Sequence, residues 1–68
     1  MRLMVHHTTR RGAVVSTPVA PDRLEAEMRR HFRNREDTTA RYAGRVVGEV
    51  FRRDGRWTWW CERDPRTT

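Results

Sequence analysis

At 68 residues, with a formal net charge of +6 and hydrophobic and charged residues at 35% each, the chain has room for one domain with a thin core. It falls below the roughly 70 to 80 residues at which a lone core begins to supply ample stability. Its apolar residues sit in periodic clusters, which separates it from a disordered chain, and its single cysteine, Cys61, excludes an intrachain disulfide and with it a disulfide-stapled secreted scaffold.

In chain order, Leu3 to Thr9 has strand-tolerant composition, and Arg10-Arg11-Gly12 is a turn in which Gly12 supplies a positive φ before Ala13 to Ser16. The second segment reads as a strand or as an extended connection. The short apolar patch from Met1 to Val5 is broken by His6 and His7, far short of a signal-peptide core or a span of about 20 residues. A cytoplasmic protein with no membrane partner is expected. Two prolines between Thr17 and Pro21 are expected to bar regular pairing.

A helix is predicted from Pro21 to Glu36, with proline at its opening position. Leu24, Met28, His31 and Phe32 form one apolar stripe. Asp22, Glu25 and Glu27 lie early and Arg29, Arg30, Arg33 and Arg35 late, which complements the helix dipole. Glu25 with Arg29, and Glu27 with His31, are spaced as one-turn pairs.

Asn34 to Thr39 reads as a polar connector. Arg41 to Arg53 and Arg56 to Arg63 then flank Asp54-Gly55, the strongest hairpin signal in the chain. A two-residue turn pairs Arg53 with Arg56, Arg52 with Trp57, Phe51 with Thr58, Val50 with Trp59, Glu49 with Trp60 and Gly48 with Cys61. Strand alternation puts Val46, Gly48, Val50, Trp57, Trp59 and Cys61 on the face that meets the helix, and Val47, Glu49, Phe51, Thr58, Trp60 and Glu62 on the other. Gly48 opposite Cys61 either leaves room for a neighbouring side chain or marks a bulge. Asp64 to Thr68 is a flexible polar tail beyond a single domain over residues 1–63. The expected class is α+β, a small antiparallel β-β-α-β-β sheet with one helix packed on one face.

No catalytic or metal site is predicted, and no cofactor. His6 and His7 are adjacent on a strand and so point to opposite faces, and with Cys61 and the sequence-distant His31 they fall short of a zinc ligand set. The glycines are scattered and make no phosphate loop.

All 15 basic residues are arginine, a bias that codon usage in a GC-rich genome explains as readily as an anionic partner does. Arginine beside aromatic rings is also the composition of nucleic-acid surfaces. The first reading is therefore a small, non-catalytic nucleic-acid-binding protein with Arg10, Arg11, Arg52, Arg53 and Arg56 on phosphate. The second is a protein-interaction module or inhibitor, or a homodimer, whose apolar anchor is Val47, Phe51 and Trp60. The third is a small ribonuclease of the toxin type, using His6 or His7 with Arg10, Arg11 or Arg41.

Overall fold

A computed structural model describes residues 2–67; Met1, at the start of the N-terminal apolar patch, and Thr68, at the end of the tail, lie outside the described residues. Five antiparallel strands form one sheet: β1 (Leu3–Thr8), β2 (Val14–Val19), β3 (Thr38–Tyr42), β4 (Arg45–Arg53) and β5 (Arg56–Cys61), in the spatial order β2-β1-β3-β4-β5. One helix, α1 (Leu24–Asn34), is preceded by a 3-10 turn over Pro21–Arg23 and packs on β4 and β5. The expected α+β class and the packing of the helix on one face both hold.

The stretch read as one strand before Asp54-Gly55 is in fact two. Ala43 and Gly44 both have positive φ (54° and 79°) and turn the chain between Tyr42 and Arg45. Alanine rarely occupies that conformation, so the turn carries no strong sequence signal. β3 starts at Thr38, inside the segment expected to be a polar connector.

β2 also runs further than expected, with Pro18 pairing with Met4 and Val19 with Leu3. It is an edge strand, and a proline whose nitrogen faces solvent forfeits no ladder hydrogen bond there. Gly12 has the expected positive φ of 84°.

The C-terminal hairpin has the expected register at all six pairs. Its faces differ in one respect. The β3–β4 register shifts between Ala40 and Arg41: Ala40 pairs with Gly48 while Arg41 pairs with Val46, leaving Val47 as the extra residue of a bulge. Val47 therefore turns inward and is 0% exposed in the core, and Val46, opposite the exposed Arg41, takes the outer face. The expected anchor of Val47, Phe51 and Trp60 does not exist as a unit. Beside the bulge, a Cβ on Gly48 would meet Cys61 Cβ at 3.0 Å and Met28 Cε at 3.4 Å, so the glycine is needed for close packing as well.

The core consists of Leu3, Val5, Leu24, Met28, Ala40, Val47 and Val50, with Phe32, Trp57 and Trp59 packed against it. The helix stripe is as expected, and so are its pairs, Glu25 with Arg29 at 3.0 Å and Glu27 with His31 at 3.4 Å. Beyond β5, Pro65 is buried, with its carbonyl oxygen accepting a 2.7 Å hydrogen bond from Arg45, which also pairs with Glu62.

Candidate functional site

The antiparallel pairing of β1, β3 and β4 brings three connections to one end of the sheet. His7, Thr38, Val50 and Trp59 form one row across it. Beyond that row lie the β1–β2 turn with Arg10 and Arg11, the end of α1 with Arg33 and Arg35, and the β4–β5 tip with Arg52, Arg53 and Arg56. All seven arginines are exposed, and none is among the salt bridges found within 4.0 Å among the described residues. Of the other eight, Arg29, Arg30, Arg45 and Arg66 are each paired with a carboxylate, and Arg2, Arg23, Arg41 and Arg63, exposed elsewhere on the surface, are likewise outside those salt bridges.

Between these connections run two adjoining clefts. One, of about 610 Å³, is lined by Phe32, Arg33, Arg35, Arg52, Arg56 and Trp57. The other, of about 380 Å³, shares Arg35, Arg52 and Trp57 and adds Arg10, Glu36 and Asp37. Trp57 is half-buried, with the Arg52 guanidinium 5.9 Å from its ring centroid. Of the arginines expected to contact phosphate, Arg10, Arg52 and Arg56 line this groove, while Arg11 stands exposed in the β1–β2 turn and Arg53 at the exposed end of β4. Arg33 and Arg35 join them, a role the sequence masks because basic residues late in a helix already have a dipole explanation.

Arg35 is held in an unusual way. It has a left-handed conformation (φ 54°, ψ 53°) at the end of α1. Its N–H bonds the Phe32 carbonyl at 3.1 Å, and the Glu36 N–H bonds the His31 carbonyl at 3.0 Å. This is the Schellman termination, whose left-handed residue is usually glycine. An L side chain there costs about 1–2 kcal/mol.

Beside the groove, on the helix side of the sheet, a second cluster forms. The His7 and His31 rings lie 4.5 Å apart between centroids, tilted by 33°, and Glu36 Oε1 lies 2.7 Å from His31 Nδ1. The ligand atoms of His7, His31 and Glu36 all lie within 4.8 Å of one another. That hydrogen bond from His31 holds the Glu36 carboxyl below its ordinary value against the opposing effect of burial. His7 Nδ1 is buried with no hydrogen-bond partner among the described residues.

Among the described residues, no helix covers the outer sheet face. There His6 Nδ1 lies 2.6 Å from Ser16 Oγ, and the Trp60 N–H donates to Glu49 at 3.0 Å. His6 and His7 thus occupy opposite faces as expected, so only one of them can serve any given site. Arg41, opposite Met4, shares the outer face with His6. Trp60 is 40% exposed and Phe51 half-buried. Cys61 is a poor nucleophile: burial, and then nearby Glu25, push its thiol above the ordinary range.

No family model, characterised protein or solved structure matches this chain. The functional reading therefore rests on the groove and the two sheet faces alone. Among the described residues, no helix is long and apolar enough to cross a membrane.

Proposed function

We propose that the protein binds nucleic acid through the arginine-lined groove, gripping backbone phosphates without base-specific readout. The observation that carries this reading is the gathering of seven arginines at one end of the sheet, none of them in a salt bridge among the described residues, where, of those residues, Glu36, Asp37 and Asp54 supply opposing charge. Codon bias by itself gives no reason for seven of the 15 arginines to share one end of the sheet. Arg35 adds a second line of support, because it holds a charged side chain at the groove in a backbone position where glycine would be more stable.

Arg10, Arg33, Arg35, Arg52 and Arg56 are the phosphate-contacting residues, with Arg11 and Arg53 widening the positive field. Trp57 lines the groove half-buried, with the Arg52 guanidinium over its ring. The role is non-catalytic and the setting cytoplasmic. The test is affinity for random duplex DNA, single-stranded DNA and RNA between about 50 and 200 mM salt. Binding in the micromolar range whose logarithm falls linearly with the logarithm of salt is expected; no binding at the lowest salt rejects the reading.

A second reading is favoured by the exposure of Trp60 beside Phe51 on the helix-free face. There the protein engages a protein partner or a second copy of itself through an anchor that excludes Val47. Size-exclusion chromatography with light scattering, run on the native chain and on Trp60→Ala, tests the homodimeric form of it.

A further inference from the structure

Three residues that lie far apart in sequence converge beside the groove, and they are the types that bind borderline divalent metals: two imidazoles and a carboxylate. His7 comes from β1, His31 from the buried face of α1 and Glu36 from the residue that closes the helix termination. Their ligand atoms fall within 4.8 Å of one another. A tetrahedral zinc ion with bonds of about 2.0–2.1 Å spaces its ligands about 3.3 Å apart, so the set has to draw in by at most about 1.5 Å and the 2.7 Å His31–Glu36 contact has to open.

Two further features fit an ion there. The first is the buried, unpartnered His7 Nδ1, a nitrogen with a lone pair or proton and nothing to receive it. The second is the position of the carboxylates around His31. Its Nδ1 faces Glu36 at 2.7 Å and its Nε2 faces Glu27 at 3.4 Å. An ion on Nδ1 leaves the proton on Nε2, directed at Glu27, the arrangement in which a second carboxylate fixes the tautomer of a ligating histidine. Arg30 lies 3.5 Å from that same Nε2, but its guanidinium is engaged by Glu27 at 2.8 Å.

We propose that His7, His31 and Glu36 form a zinc-binding site with a fourth position open to water on the side of the groove. The ion clamps the start of the sheet to the end of the helix and holds the Arg35–Glu36 turn. It needs no nucleic acid to bind, so its test is independent of the function proposed above.

The test is calorimetric titration of zinc chloride into the untagged full chain, first stripped with chelator and exchanged into chelator-free buffer, with cobalt absorption to report the ligand types. One equivalent of zinc per chain is expected, weakened at least tenfold by His7→Ala and by Glu36→Gln and unchanged by Cys61→Ser. Cobalt should give ligand-field bands without the sulfur charge-transfer band. His7→Phe, which keeps a ring against His31, replaces His7→Ala if circular dichroism finds that variant unfolded. Absence of saturable zinc uptake, uptake that survives loss of the His7 imidazole, or uptake that depends on Cys61 overturns the site.

Discussion

Arg10, in the first turn of the sheet, and Arg52, at the end of its fourth strand, line the same cleft. They meet because β1 and β4 both pair with β3 and therefore run in the same direction, so that their ends fall at one end of the sheet. Arg10→Ala with Arg52→Ala is expected to weaken nucleic-acid binding and to lower the salt slope by about one for each phosphate left ungripped. Circular dichroism should be unchanged, since both side chains are exposed. An unaltered slope would mean that other residues hold the phosphates.

Arg35→Gly separates stability from function. Glycine relieves the left-handed strain at the helix end, and after allowance for the greater freedom it gives the unfolded chain, a net gain of about 0.5–1 kcal/mol is expected in denaturant unfolding. The same variant should bind nucleic acid more weakly. A gain in stability with full binding would mean that Arg35 is not part of the interface.

Val47→Ala and Trp60→Ala report on the bulge. Val47 is 0% exposed and packs in the core, so its truncation should cost about 2 kcal/mol in urea unfolding. Trp60 is 40% exposed and should cost about 1 kcal/mol or less, the value of a cross-strand pair. The reverse order would require a β4 without the bulge.

Gly48→Ala is expected to destabilise by about 1–3 kcal/mol. Its Cβ would lie 3.0 Å from Cys61 Cβ and 3.3 Å from the Trp60 carbonyl oxygen, and the carbonyl cannot swing away without breaking the β4–β5 ladder. Thermal unfolding monitored by tryptophan fluorescence measures it.

Carboxyl NMR titration of the metal-free chain should give Asp64 a midpoint of about 2, held down by its hydrogen bonds from Arg66. Glu36 should also titrate below the ordinary range, held there by His31. Because both values are depressed on folding, these interactions are fully present above the ordinary carboxylate range and disappear as the pH falls through the lowered values. Arg66→Ala should move Asp64 part of the way up towards its ordinary value, since the backbone N–H of residue 66 still donates to the carboxylate, and leave Glu36 unmoved.

Much of this architecture was legible locally. Asp54-Gly55 specifies its own turn, and a two-residue turn determines the register of everything paired beyond it. The four-residue recurrence from Leu24 to Phe32 specifies the buried side of the helix, because helical geometry alone places those residues together. The Ala43-Gly44 turn was hidden because alanine does not ordinarily accept positive φ, and the strand through Pro18 because its tolerance depends on lying at a sheet edge.

The local sequence thus determined the class of the fold, the closing hairpin and the opposed faces of His6 and His7. The tertiary structure decided which residues act together. A bulge, held by the packing of β3 on β4, shifts one residue and turns Val47 from a surface anchor into core, and no local pattern announces it because alternation simply resumes on the other side. The arginine groove and the meeting of His7 with His31 and Glu36 depend likewise on strand order, which long-range pairing sets and which a reading of neighbours along the chain does not contain.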